Sequence, residues 1–102
     1  MKRINIAGTS ILTGTALADA VLVYAVSLAR LHRFEIAEVP FVDDDGSRQC
    51  AQLVLGDGCP IWISSVEPDG AELMDGVALA QLRARTAELE PGWGGAYGDF
   101  ED

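Results

Sequence analysis

The sequence predicts an α+β fold, a two-layer sandwich with both helices on one face of a small sheet. Three observations support this prediction. Apolar residues recur at helical spacing in two segments, near residues 14–32 and 69–89. Between them lie three strand-like runs separated by Asp-Gly pairs, which are typical of tight hairpins. A short apolar run before the first helix adds a strand, so the predicted order is β-α-β-β-β-α.

The chain length and composition indicate one domain. A chain of 102 residues can bury a single modest core, and 49% apolar with 23% charged residues is ordinary globular composition. We therefore expect one α+β domain over residues 1–90. The remaining residues, 91–102, contain four glycines and form a C-terminal tail.

The run AGTSILTGTALADA, residues 7–20, has three interpretations. As a phosphate-binding loop it fails, because five residues separate Gly8 from Gly14 and no lysine follows. As a secretory signal it has a basic start and an Ala-x-Ala sequence, but its apolar core is interrupted by polar residues and glycines. We favour the third interpretation, in which residues 4–7 form a strand, followed by a turn and a helix capped by Thr13 or Thr15.

This first helix is predicted over about residues 14–32. Its core face is apolar at 4-3-4-3 spacing and comprises Leu17, Val21, Tyr24, Leu28 and Leu31. On the opposite face Val23 and Val26 lie between charged residues, so they are candidates for a contact with a partner. Asp19 and Arg30 within the segment weigh against a membrane span.

The three runs after this helix, residues 34–42, 48–55 and 60–66, are predicted to form an antiparallel meander. Pro40 cannot donate a ladder hydrogen bond, so its strand is expected at an edge or with a bulge. A second helix starts at Asp69 or Asp75 and ends before Pro91-Gly92. Its apolar stripe contains Leu73, Val77, Leu79, Ala80, Leu82 and Leu89.

No catalytic, metal or cofactor motif is present in the sequence. The run DDDG at residues 43–46 lacks the acidic twelfth residue of an EF-hand loop, where Val54 stands, and is read as a hairpin tip. Cys50 and Cys59 have no ligand spacing and are expected to be reduced thiols. His32 has no catalytic partner placed by motif and is expected as a surface cation at a helix end.

Charge is distributed unevenly along the chain. Residues 1–42 carry four basic residues against three carboxylates, whereas residues 43–102 carry three arginines against thirteen carboxylates. Such a surface repels nucleic acid and anionic membranes and favours a basic protein partner. From the first helix on, the predicted α-β-β-β-α order is similar to that of double-stranded-RNA-binding domains, but the second helix has no lysine cluster for RNA.

The C-terminal tail offers a second candidate contact. Trp93, Tyr97 and Phe100 are spaced as one face of a helix that could form on a partner. Alternatively, the glycines prevent a helix and the aromatic residues fold back on the domain edge.

Taken together, these features predict a non-catalytic, acidic protein-interaction module in the cytoplasm, of the kind that acts as an inhibitor, an immunity or antitoxin-like partner, or an accessory subunit. It would need no cofactor and would bind a basic or apolar protein surface, or itself as a homodimer. The contact would use the middle of the first helix, the open edge of the meander or the tail. The alternative is a small enzyme or metabolite-binding domain with a pocket between helix and sheet.

Overall fold

A computed structural model describes residues 1–66 and 72–89 of the chain. The elements are β1 (Lys2–Ile6), β2 (Thr9–Thr13), α1 (Thr15–Arg30), β3 (Phe34–Val42), β4 (Arg48–Gly56), β5 (Ile61–Ser65) and α2 (Gly76–Leu89). The five strands form one antiparallel sheet in the order β4-β3-β2-β1-β5. The predicted α+β class is confirmed, with one strand more than the sequence predicts.

The additional strand, β2, lies in the segment that we expected to be a turn. Ala7 and Gly8 both have positive φ, 48° and 79°, which is the backbone of the two-residue turn that joins hairpin strands most readily. The hairpin aligns Ile4 with Ile11, and Ile4 is fully buried. Residues 2–13 therefore supply two of the five strands.

The last strand departs from the predicted meander. β3 and β4 pair along their whole length, from Phe34 with Gly56 to Val42 with Arg48, as predicted. β5 instead crosses to the far edge and pairs with β1, where Ile63 lies opposite Ile4. There Ile61 and Ile63 pack against the core, which explains why the chain leaves β4 after the Asp57-Gly58 turn.

Helix α1 covers the sheet with the face that its apolar spacing predicts. Leu17, Val21, Tyr24 and Leu28 are all buried in one core with residues of β1, β3 and β4. Leu31 lies just beyond the last helical residue and is only half-buried. The predicted core face is thus confirmed for the four residues inside the helix.

Both ends of α1 differ in detail from the expectation. The N-cap is Gly14 without a side-chain cap, and the N–H of Thr15 donates instead to the carboxylate of Glu72. Thr13 is buried and donates to the carbonyl of Pro40 at 2.7 Å. At the other end His32 has a left-handed φ of 55°, and its N–H bonds back to Ala29, as in a Schellman cap.

Pro40 lies where β3 has no strand partner on one side. β2 meets β3 only at Leu12 and Val42, because the chain turns into α1 after Thr13. The carbonyl of Pro40 points to this side, so the missing N–H of the proline also lies here and costs no bond to β4.

Helix α2 packs beside α1 and reaches the unpaired side of β3. Its first turn is capped by Asp75, whose carboxylate accepts from the N–H of Ala78 at 3.0 Å. Arg85 donates to the carbonyl of Ile36 at 3.1 Å and lies 4.8 Å from the ring centre of Tyr24.

The predicted apolar stripe of α2 is only partly buried, and Leu73 lies before the helix, which begins at Gly76. Leu82 is buried, but Val77 is 70% exposed. Neither helix in the described part of the chain is long and apolar enough to cross a bilayer.

Candidate interaction surface

The outer side of β4 is a free strand edge. β4 ends the sheet, and no strand within residues 1–66 and 72–89 pairs with its outer side. Ile36 and Pro40 direct their carbonyls away from β4, so the residues aligned with them, Val54 and Cys50, direct theirs away from β3. By the same alternation, the free edge presents the backbone N–H and C=O groups of Arg48, Cys50, Gln52 and Val54.

Beside this edge lies a group of exposed apolar side chains, which we call the edge patch. It consists of Phe34, Ile36 and Val54, which are 67%, 58% and 46% exposed. Ile36 and Val54 are direct cross-strand partners, and Phe34 is aligned with Gly56, so the three share the sheet face opposite the core. An exposed apolar group next to an unpaired edge is typical of a strand-binding surface.

The charges around the edge are arranged asymmetrically. Residues 49–56 of β4 carry none, whereas the turn before it holds three exposed carboxylates, Asp43, Asp44 and Asp45. Hydrogen bonds from the side chain and the backbone N–H of Ser47 lower the pKa of Asp45 below its usual value and so favour its ionised form. Arg48, the cation nearest this turn in β4, is paired with Asp75.

A groove of about 650 Å³ runs between the two helices. Its apolar lining includes Val23 and Met74, and its polar lining includes Arg83 and the carboxylates of Asp19 and Glu72. These carboxylates are already paired, Asp19 with Lys2 at 2.8 Å and Glu72 with the α-ammonium of Met1 at 2.7 Å. The groove lies between helices rather than between helix and sheet.

The predicted partner-binding residues lie in different places. Val23 is half-buried in the groove against α2, and Val26 is on the outer surface of α1, 37% exposed. Trp93, Tyr97 and Phe100 lie outside the described residues, as does the whole tail from residue 91. The structure therefore does not bring the valines into the surface formed by β4.

Two exposed features were missed by sequence reasoning. The edge patch depends on which face of the β3–β4 hairpin is left uncovered, and sequence spacing alone does not reveal this. Trp62 on β5 is also exposed, and its carbonyl accepts from the side-chain amide of Asn5 at 3.2 Å. The only sequence signal for Trp62 was its place between Ile61 and Ile63, which in a strand directs it to the opposite face.

The reactive side chains do not assemble into one site. Cys50 is exposed on the free edge, and Cys59 is half-buried; both are free thiols. His32 is highly exposed, with its Nδ1 3.7 Å from a carboxylate oxygen of Asp57. Among the described residues, no group of three or more His, Cys, Asp or Glu side chains is placed to hold a metal ion. Comparison with protein families, curated proteins and solved structures finds no match for this chain.

Proposed function

We propose that this protein is a non-catalytic interaction module that binds a protein partner through the free edge of β4. The single observation that carries the proposal is a nine-residue edge strand without an internal proline, and with its only charge at its first residue. Natural edge strands are usually blocked by charges, prolines or bulges, because an open edge recruits other strands. An edge left open in this way fits a surface that is used for binding.

The edge patch adds side-chain contacts to the main-chain pairing. A strand laid along β4 would place alternate side chains on the open face, next to Val54 and near Ile36. Burying these apolar groups is worth about 25 cal/mol per Å² before the costs of association. The acidic charge of the chain, −9, favours a partner with a basic surface.

The test is a proline at the middle of the edge. Gln52→Pro removes an N–H that points outward, so the pairing of β4 with β3 is retained, in the way that Pro40 is tolerated in β3. The matched control, Gln52→Thr, changes the same side chain but keeps the N–H. We expect the proline variant to lose the partners that the tagged wild type and Gln52→Thr both retain from an extract of the source cells. Equal retention by all three proteins would contradict the proposal.

The first helix is the competing surface for the same function. Val26→Glu places a charge on the exposed face of α1 without entering the groove that contains Val23. Under the proposal this variant keeps its partner. Loss of the partner with Val26→Glu but not with Gln52→Pro would assign the contact to α1. Sedimentation of each variant tests the homodimer, because self-association through β4 would be lost only with Gln52→Pro.

A second candidate function is binding of a small metabolite in the groove between the helices. The groove has a mostly apolar lining and carries two acidic residues and one basic residue. Its volume and this lining favour the alternative, because small-molecule sites usually combine an apolar lining with a few polar groups. A thermal-shift screen of metabolites separates the two functions. A small molecule that raises the melting temperature of the wild type, but not of a variant with Ala20→Trp filling the groove, would support this alternative.

We also propose that the protein acts in the cytosol. The support is that residues 7–20 contribute β2 and the start of α1, and Leu17 and Ala18 of this run are buried in the core. Cleavage of this run as a signal would remove part of the sheet. The intact mass of the protein isolated from its source tests this, and a mature N-terminus near Asp19 would contradict it.

A further inference from the structure

We infer that the segment bound by β4 is an extended strand of about nine residues, with apolar residues at alternate positions and lysine or arginine at one end. The inference rests on the proposed function and names the chemistry of the partner. Its basic end would lie against the turn that carries Asp43, Asp44 and Asp45.

The length and conformation of the segment follow from the backbone of β4. Four residues, Arg48, Cys50, Gln52 and Val54, present their N–H and C=O groups outward at every second position. An extended segment is the conformation that can pair with all of them, since its own groups also alternate. A helix or a compact loop would leave most of these groups without a partner.

The alternation of apolar residues follows from the two faces of the sheet. On the open face the segment meets Val54 of the edge patch as its direct cross-strand contact, with Ile36 one strand further in. On the other face it passes the half-buried side chains of Ala51 and Leu53. The open face of β4 is apolar at Val54, but toward the Arg48 end it carries the side chains of Gln52 and Cys50. The strongest apolar positions are therefore expected in the half of the segment that is distant from its basic end.

The basic end follows from the balance of charge. Three carboxylates lie beside the Arg48 end of the edge, and Arg48 itself is engaged by Asp75. At the other end Asp57 lies beside Arg33, whose guanidinium pairs with Glu35 at 3.0 Å, so the excess of carboxylates there is smaller. A cation on the segment would thus be attracted chiefly to one end, which also orients the segment.

The same charges weigh against a second copy of this chain. If two β4 strands paired antiparallel about Gln52, Asp57 of one copy would come opposite Ser47 of the other, next to its three carboxylates. Asp57 would then lie close to these like charges without being directly opposite them, and the repulsion disfavours the pairing. A basic segment of another protein satisfies the same edge without this repulsion.

The experiment uses three fluorescent nine-residue peptides with a common core of alternating valine and threonine. One carries Lys-Lys at its C-terminus, one carries it at its N-terminus, and one carries Glu-Glu at its C-terminus. Binding to the full chain is followed by fluorescence anisotropy at low and high salt. We expect one Lys peptide to bind about tenfold more tightly than the Glu peptide, with the preference falling as salt rises. Preference for C-terminal lysines indicates antiparallel pairing, and preference for N-terminal lysines indicates parallel pairing.

Two sets of variants assign this binding to the edge and to the turn. Gln52→Pro should abolish binding of the Lys peptide, and Gln52→Thr should retain it. Changing Asp43, Asp44 and Asp45 together to asparagine keeps the hydrogen-bond acceptors of the turn and removes its charge. This triple variant should bind the Lys and Glu peptides with similar affinity.

Failure of the inference is distinguishable from failure of the proposed function. Equal affinity of the wild type for the Lys and Glu peptides would overturn the basic end while leaving the edge as the binding site. Absence of peptide binding, together with a wild-type dimer that Gln52→Pro dissociates, would make a second copy the occupant and overturn the inference alone. Both would be overturned if the wild type is a monomer, binds none of the peptides, and retains the same cellular partners when Gln52→Pro is introduced.

Discussion

Glu72 is the residue that ties the start of the chain to the segment before α2. Its carboxylate accepts from the α-ammonium of Met1 at 2.7 Å and from the backbone N–H of Thr15 in the first turn of α1. It thereby satisfies a helix N–H that no local side chain caps. The hydrogen bond from the α-ammonium is the main cause that lowers the pKa of Glu72 from 4.5 to about 2.

We predict that Glu72→Gln destabilises the fold at neutral pH. Because the folded-state pKa is lowered, the contribution of the carboxylate is fully present above about pH 4.5 and is lost as the pH falls through about 2. Urea unfolding at several pH values should show the largest difference in unfolding free energy between wild type and variant near pH 7. This difference should shrink below pH 4.5. Glu88→Gln, on the exposed side of α2, should leave the midpoint at pH 7 near that of the wild type.

If Glu72→Gln lowered the unfolding free energy equally at pH 7 and at pH 2, the stabilising role of the ionised carboxylate would be contradicted. The protonated acid could not make the same charged contacts. The comparison depends only on the change with pH. It is therefore independent of any general effect of the substitution on packing.

Gly56, at the end of β4, supports a second residue-scale prediction. Its φ is +122°, and a Cβ atom there would lie 2.3 Å from the carbonyl oxygen of Arg33. Gly46 also has positive φ, +86°, but open space around it. Chemical denaturation should show that Gly56→Ala costs several kcal/mol, against about 1–2 kcal/mol for Gly46→Ala, which has backbone strain alone. If the two variants lost similar amounts of unfolding free energy, the clash of the Cβ with the carbonyl oxygen of Arg33 would add nothing to the cost at Gly56.

At the scale of elements, the two sides of β4 should differ in hydrogen exchange. The N–H groups of residues 49, 51, 53 and 55 face β3, whereas those of residues 48, 50, 52 and 54 face outward. We predict slow exchange for the first set and fast exchange for the second in the free protein, measured residue by residue by NMR. Binding of a strand should slow the second set selectively. Protection of both sets in dilute, free protein would mean that the edge is already occupied.

At the scale of the whole molecule, the glycine-rich tail from residue 91 is predicted to contribute little to stability. The buried apolar residues of the described ranges lie between Ile4 and Leu82. We therefore predict that truncation after Glu90 costs no more than about 1 kcal/mol in chemical denaturation and leaves the fold intact. A loss of several kcal/mol would place Trp93, Tyr97 or Phe100 in the core and contradict the domain boundary at residue 90.

The order of elements also explains why β4 is one of the two edge strands of the sheet, the other being β5. The hairpin β3–β4 is joined to the rest of the sheet only by the short contact of β2 with β3, and α1 lies across the junction. β5 is needed at the other edge, where its isoleucines pack against the core. The chain thus has no described strand left to cover β4.

The sequence by itself determined the elements whose signals are local. The Asp-Gly turns and the β-branched runs predicted β3 with its observed limits. The apolar spacing of α1 predicted four of its six buried apolar residues and missed Ala18 and Ala25. Local signals failed at β2, because Ala7-Gly8 is an uncommon sequence for a tight hairpin turn and the strand has few apolar residues. The charge asymmetry that suggests the partner was also readable without a structure.

Only the tertiary structure decided which surfaces are free. Strand order depends on where β5 finds apolar contacts, and the cap of α1 comes from Glu72, which is distant in sequence. Both are long-range contacts, with energies set by the burial and geometry of residues that sequence spacing does not bring together. For the same reason the sequence left the first helix, the open edge of the meander and the tail as alternative contacts, and only the strand order favours the edge of β4 among them. Val23 is partly covered by α2, whereas β4 is left as the last strand of the sheet.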